Sequence, residues 1–379
     1  MGKRIVDYFI SLVKIDSESK DELDIAERMK KDLTVMGAEV IFDDAHARTK
    51  GKIGNLIARF PGKISQEPLI LSAHLDTVKP GKGVKPIIKD SIIYSDGTTV
   101  LGGDDKSGIV EIVEAIRRLQ EQQFKYAPLE VLLTISEEIG LLGSKNLDYS
   151  LLKGRRGYTL DSHKVGSVTI QAPALNVIEI KVFGKEAHSG ASPEKGINAI
   201  QVASEAISKL KLGRIDAETT ANIGKISGGV ANNIIPNIVT LSGEVRSHNE
   251  DKLQRVTNDI IKTFEKTAKK YQIKIESKVF EAKVDAKVLK DFPAIIIDSN
   301  SEIVKIALNA AKNVGIESEV EIGGGGSDSN IFYSHGLDMP ILGTGMRDVH
   351  SLNENISIED LENGTLWIIE IIKEYSKNK

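Results

Sequence analysis

At 379 residues the chain is longer than one hydrophobic core usually serves, so two domains are expected. Charged residues make up 27% and hydrophobic residues 40%, an ordinary globular composition rather than that of a disordered chain. A formal net charge of −4 without a long basic block argues against nucleic-acid and anionic-membrane partners, and the lack of cysteine leaves histidine and carboxylate as the metal ligands on offer.

Taken in order, residues 3–14 read as an amphipathic helix with Asp7 inside its apolar patch, not as a signal peptide. No apolar run reaches the length of a membrane span, so a cytoplasmic protein is the default. A helix over 21–36 ended by Gly37 follows, then strands over 38–42 and 55–60, the second closed by Pro61-Gly62. The run 69–75 is a candidate buried strand, and its alternation puts His74 and Asp76 on one side near its C-terminal end. Residues 83–100 are irregular, with short strand signals at 87–88 and 92–94. Gly103-Asp104-Asp105-Lys106-Ser107-Gly108 then leads into a segment over 109–120 with apolar residues at helical spacing. Strands over 129–135 and 157–160 stop at Ser136-Glu137-Glu138 and at Asp161. Polar groups thus collect at one edge of an α/β sheet, where ligands bind in such folds.

The middle differs in kind. A half-exposed strand over 176–183, a helix over 193–210, strands near 222–226 and 238–246, a charged helix over 251–270 and a strand over 273–280 give the order β-α-β-β-α-β. That is a ferredoxin-like, split-βαβ unit, placed at 172–287. After it come a helix over 300–314, a glycine run Gly323–Gly326, a short strand over 339–343, Met346-Arg347-Asp348-Val349-His350, and a closing helix over 358–375 capped by Ser357. Both flanks belong to one sheet. The domains are therefore 1–171 and 288–379 for the first and 172–287 for an insertion.

Each polar residue has a bland reading: His74 as a satisfied histidine at a core edge, Asp104 as a helix cap, Glu137-Glu138 as a solvated loop pair, Asp161 as a turn residue. Together with His350 they suit a two-metal site of imidazole and carboxylate. Three carboxylates and a hydroxide balance two divalent cations, which leaves Glu137 free to move protons.

His-x-Asp, Gly-x-Asp-Asp-Lys-x-Gly, Glu-Glu, Asp and a late His, in that order, resemble the dinuclear zinc exopeptidases related to peptidase T, aminoacylase and carboxypeptidase G. The Gly103–Gly108 motif and the paired Glu137-Glu138 are most similar to the peptidase T branch. The resemblance implies an α/β zinc-exopeptidase catalytic domain of phosphorylase/hydrolase-like mixed-sheet type, with an inserted ferredoxin-like α+β lid. It implies two zinc ions per chain, with cobalt or manganese able to replace them: His74 and Asp161 on one, Glu138 and His350 on the other, and Asp104 bridging through a cis peptide to Asp105. Asp76 would orient His74, and Glu137 would be the general base. From the lid, His188 in Gly184-Lys185-Glu186-Ala187-His188-Ser189-Gly190 would polarise the scissile carbonyl. Asn233 would lie near substrate, and Arg246 would grip a substrate carboxylate. Gly324 and Gly325 are read as backbone lining the substrate pocket. His46, His163, His248 and His335 match no ligand position and are left as structural or surface residues, and Ser162-His163 stands where relatives often have glycines. The implied function is release of the N-terminal residue from short peptides, with a homodimer through the lid and closure of the lid about its two linkers. The alternatives are a deacylase of N-acyl amino acids, a carboxypeptidase, or a non-catalytic binding protein. A nucleotide-binding protein fits the glycine-rich stretches only superficially, since neither is a phosphate loop.

Overall fold

The computed structural model describes residues 2–377. The chain divides into two compact units, one ending at Ala172 and resuming at Ile295, the other running Pro173–Ala294.

The first unit is built on a nine-stranded mixed sheet. From one edge its strands are Glu39–Phe42, Leu56–Phe60, Leu129–Thr134, Leu69–His74, Arg156–Val165, Ile341–Gly343, Ser167–Ala172 and Ile295–Ile296, with Glu319–Ile322 also paired to Ser167–Ala172. Leu69–His74 lies parallel to both Leu129–Thr134 and Arg156–Val165. Every residue of the first two strands is buried, which is why they read as unbroken apolar runs. Leu69, Leu71, Leu129 and Val131 pack into the main core with residues of helices Gly2–Val13, Gly103–Glu121, Glu302–Asn313 and Ile358–Lys377. Ile70 and Leu132 face a smaller cluster with Phe332 and Met339. The parallel register pairs His74 with Thr134, so the residues that follow these strands emerge at a common edge.

The strand expected to stop at Asp161 continues to Val165, and a further strand, Ser167–Ala172, turns back after Gly166, whose φ is +94°, with Ile341–Gly343 lying between the two. The apolar signal fades there because His163 and Lys164 are exposed while the pairing to Gly343 goes on. A small second sheet joins Ile87–Lys89 and Ile92–Tyr94 to Asn355–Ser357 and Met346–Arg347, which frames the loop that carries His350. Ser357 caps the closing helix, accepting from the Asp360 N–H at 2.9 Å.

The second unit is an antiparallel sheet in the order Gly213–Arg214, Thr219–Gly228, Ile238–Ser247, Ala174–Phe183 and Lys283–Phe292. Helices Ala199–Ile207 and Glu250–Ala268 pack on it through residues such as Val202, Ile260 and Phe264. Along Ala174–Phe183, Ile178, Ile180 and Val182 are buried and Glu179 and Lys181 exposed, the alternation of a sheet covered on one side. The arrangement is ferredoxin-like. Its last strand, however, is Lys283–Phe292, which extends past the expected boundary at 287. The segment 273–280 is instead a hairpin, Gln272–Ile275 with Lys278–Glu281, turning at Glu276 with φ +54°. Lysines and an aspartate on the exposed face of 283–290 dilute the apolar signal that marks the other strands. The helix expected over 193–210 is shorter: a 3-10 turn Pro193–Lys195 precedes Ala199–Ile207, which Asn198 caps. Among the described residues no helix is long and apolar enough to cross a membrane.

Candidate active site

The sheet edge gathers His74, Asp104, Glu137, Glu138 and Asp161, and the loop after Met346–Arg347 brings His350 to them. His74 Nδ1 lies 3.0 Å from the Asp76 carbonyl oxygen, so Nδ1 carries a proton and Nε2 is the nitrogen left to face the carboxylates or a metal ion. That Nε2 sits 2.9 Å from Asp104 Oδ1 and 4.0 Å from Asp161 Oδ1. His350 Nε2 lies 3.2 Å from Asp104 Oδ2 and 2.9 Å from Glu138 Oε2. One carboxylate, Asp104, therefore stands between two imidazoles and offers an oxygen to each. The peptide that follows it, to Asp105, is cis.

Asp76 supports both sides of this cluster. Its carboxylate accepts from Glu137 N–H at 2.9 Å, Glu138 N–H at 3.3 Å and Ser19 Oγ at 2.7 Å, and faces His74 Nδ1 at 3.5 Å. It fixes the turn of the paired acids as well as the ring of His74. The glycine that closes the Gly103–Gly108 motif has a steric reason. A Cβ at Gly108 would lie 2.6 Å from both the Asp105 side chain and the Leu160 carbonyl, so only glycine lets this helix approach the strand carrying Asp161.

Several supports were not legible in the sequence. Glu354 accepts from the N–H groups of Leu101 at 2.7 Å, Gly102 at 2.8 Å and Asp104 at 2.9 Å, and so ties the Asp104 loop to the segment just after His350. Asp328 accepts from Thr134 Oγ1 and Ser144 Oγ, both at 2.5 Å, and thus brackets the Glu137-Glu138 turn from its two ends. Glu22 accepts from the Ser136 N–H and hydroxyl at 3.0 and 2.9 Å. Of these, only Asp328 left a signal. Ser327, Asp328 and Asn330 form the capped start of helix Asp328–Ser334, a pattern readable after the glycine run.

The electrostatics ask for cations. Burial pushes the carboxyls of Glu137, Glu138 and Asp161 up, and Asp104 beside Asp161 adds to its shift. Burial opposes ionisation of Asp104 too, but hydrogen bonds from His350 and His74 hold it well below the usual range. Burial disfavours the charged form of His74, yet Asp104 and Asp76 raise it well above its ordinary value. His350 is pushed up to about 10 by Asp104 and Glu138. Protons on the two rings answer the acids, at positions that suit metal ions. Two ligands of a zinc-sized ion, each at about 2.1 Å, stand roughly 3–3.5 Å apart, close to the 2.9–3.2 Å between these rings and carboxylates. Two ligand groupings close enough for an ion are His74 with Asp104 and Glu138, and His74 with Asp105 and Asp161. Asp105 is the weaker member, since its oxygens already accept from the His74 N–H at 3.1 Å and the Gly108 N–H at 3.2 Å. The donor set fits two divalent cations sharing Asp104.

A cavity of about 600 Å³ opens beside the cluster. Its walls include Glu137, Ser162, His163, Thr169, Glu321, Ile322 and the run Gly323–Gly326. His163, left as structural or surface on sequence, faces this cavity. A Cβ at Gly324 or Gly325 would meet nothing within 4 Å, so these two residues widen the cavity rather than permit a close contact. In the second unit, His188 Nδ1 accepts from the N–H groups of Gly190 at 3.2 Å and Ala191 at 3.1 Å, which leaves Nε2–H as an outward donor. Asn233 is beside it, its carbonyl accepting from Ser189 N–H at 3.0 Å. Arg246 makes a two-pronged contact with Glu244 of its own strand, at 3.0 and 3.3 Å.

Comparison with known proteins places this geometry in context. Residues 175–272 match the model of a peptidase dimerisation domain of the M20 type, and residues 55–161 match peptidase family M28. An uncharacterised Bacillus subtilis (strain 168) protein, YqjE, is 38% identical over 99% of each chain. The crystal structure of aminopeptidase PepT from Bacillus cereus ATCC 10987 is 38% identical, covers 99% of this chain and 98% of its own, and has a TM-score of 0.89. The structure of a Staphylococcus aureus tripeptidase is 36% identical over 100% of this chain and 99% of its own, with a TM-score of 0.94.

Proposed function

The chain belongs to the peptidase T-like branch of the M20 peptidases and is a peptidase; on that premise we propose that it is a two-zinc exopeptidase removing the N-terminal residue from short peptides, tripeptides above all. The observation that carries the reading is Asp104, held between His74 and His350 with Glu138, Asp161 and Glu137 around it. In this reading His74 and Asp161 would hold one ion and His350 and Glu138 the other, with Asp104 available to both. Bound there, two divalent cations would act as Lewis acids on the scissile carbonyl and bring the pKa of water close to neutrality.

The rest is the work of the chain's own groups. The Glu137 carboxylate lies on the cavity wall and is pushed up by burial, while two nearby cations would pull it down, which leaves it able to take a proton near neutral pH. It takes that proton from the attacking water and delivers it to the departing amine nitrogen. Asp76 keeps His74 in the tautomer that presents Nε2. His188 donates from Nε2–H to the substrate carbonyl, Asn233 beside it contacts substrate, and Arg246 exchanges Glu244 for the substrate carboxylate. The second unit also serves as the contact of a homodimer. Its match to a dimerisation domain supports this, as do exposed Ile226, Val230 and Ile238.

The test is metal content per chain together with turnover of tripeptides, dipeptides, amide-capped peptides and N-acyl amino acids. Two ions per chain and release of the N-terminal residue from tripeptides are expected. Hydrolysis confined to N-acyl amino acids would instead make it a deacylase.

A further inference from the structure

One wall of the cavity has no part in the proposed chemistry. The lining holds five carboxylates, Asp104, Glu137, Glu138, Asp161 and Glu321, and two histidines, but neither lysine nor arginine. The first four acids are assigned to metal ions and proton transfer, and Glu321 to nothing. It lies on strand Glu319–Ile322, in register with Thr169 of the adjacent strand, and both residues line the cavity. Its neighbour on the same face of the strand, Glu319, pairs with Lys164. Glu321 is half-buried, and its carboxylate makes no hydrogen bond or ion pair among the described residues, although it shares the field of Lys164 with Glu317 and Glu319.

The charge balance makes that carboxylate informative. Two divalent cations, if bound, would be answered first by Asp104, Glu138 and Asp161. Glu321 then remains as a negative charge on the wall that Lys164, hydrogen-bonded to Glu319 and shared with Glu317, does not balance by itself. The lining holds no lysine or arginine to pair with it, and the reaction brings an ammonium. The N-terminal residue of a peptide carries an ammonium one carbon from the scissile carbonyl, whereas the acyl group of an N-acyl amino acid carries no charge at that place.

We propose that Glu321 receives the α-ammonium group of the substrate, so that this wall selects free N-termini and makes the site that of an aminopeptidase rather than a deacylase. The assignment rests on the exopeptidase reading of the same site and adds to it the group that defines the substrate class. Glu321 touches neither the scissile bond nor the metal ligands in this scheme, so its removal alters binding and not the chemical step.

The experiment uses the metal-loaded full chain and three versions of one tripeptide: free amine, desamino (hydrogen in place of the ammonium) and N-acetyl. The wild-type protein should prefer the free amine over the desamino peptide by about tenfold to a hundredfold in kcat/KM, the range of a charged hydrogen bond. In Glu321→Gln that preference should fall to about threefold or less, through KM, with kcat and turnover of the desamino peptide unchanged. A binding measurement stands beside the kinetics. In the Glu137→Gln background, the released amino acid should bind more tightly than its N-acetyl derivative by calorimetry, and adding Glu321→Gln should erase the difference. A preference that survives Glu321→Gln overturns the assignment while leaving the peptidase reading in place. So does a preference that follows a lysine or arginine side chain at the first position instead of the α-ammonium. Failure of the wild-type protein to cleave any free-amine peptide overturns the exopeptidase reading itself, and Glu321 with it.

Discussion

Glu354→Gln tests whether the Asp104 loop is held in place from the His350 side. Glu354 is 1% exposed, and its Oε2 accepts from two N–H groups, those of Leu101 and Gly102, while Oε1 accepts from that of Asp104. Glutamine offers only one acceptor oxygen. Turned toward Leu101 and Gly102, it sets its NH2 against the Asp104 N–H; turned the other way, it opposes two donors. The better orientation keeps two bonds, now neutral, and loses the third. A hydrogen bond to a charged group contributes about 1.5–3 kcal/mol and a neutral one about 0.5–1.5 kcal/mol. One loss and two weakened bonds come to roughly 3–5 kcal/mol, about two to three and a half decades in a local equilibrium. Amide exchange at Leu101, Gly102 and Asp104 should therefore accelerate by about 10²-fold or more, with the amides of the second unit unaffected. Metal affinity should fall in parallel, because Asp104 is no longer held between the two histidines. Unchanged exchange at those three amides, with both ions still bound as tightly, would refute the role.

Other expectations follow from the same geometry. Glu137→Gln should retain two metal ions yet lose about 10²- to 10⁴-fold in turnover, whereas Glu138→Gln should lose the ion next to His350; equal metal loss in both variants refutes the division of roles. Because Asp104 and Glu138 push His350 up to about 10, a cation taking its Nε2 must expel a proton. Affinity should then fall about tenfold per pH unit for each proton expelled as pH drops from about 8 to about 6, as chelator competition would show; a flat profile refutes it. Arg246→Ala should raise KM about tenfold or more for peptides with a free C-terminal carboxylate and leave amide-capped peptides unchanged. Its partner Glu244 is partly exposed, so their pairing is worth at most about 1 kcal/mol. Glu244→Gln should lower KM for the same peptides by up to about fivefold, and no change in either variant refutes the exchange.

The parts that could be read from sequence share one property: a polar residue that abruptly ends an apolar run. Leu69–His74 and Leu129–Thr134 are buried throughout, so His74 and the Glu137-Glu138 pair stand out against them, and the parallel pairing of the strands brings them together. The closing strand of the second unit was missed for the opposite reason, since Lys283–Phe292 interleaves charged residues with its apolar ones. Glu354 and Glu22 are invisible for a third reason, and Asp328 shows only as the start of a capped helix and not as a buried support. Their partners are backbone N–H groups and hydroxyls, many of them far away in the chain, and nothing in a loop carboxylate announces that it is buried. Asp328 meets Ser144 across 184 positions and Glu354 meets Leu101 across 253. What identifies such residues is the demand that a charge withdrawn from water must find partners. The chain supplies partners for Glu354, Asp328 and Glu22, and two metal ions would supply them for Asp104, Glu138 and Asp161. On the cavity wall the same demand falls on Glu321, which shares Lys164 with Glu317 and Glu319 and has no hydrogen bond of its own, and there the proposed substrate ammonium would meet it.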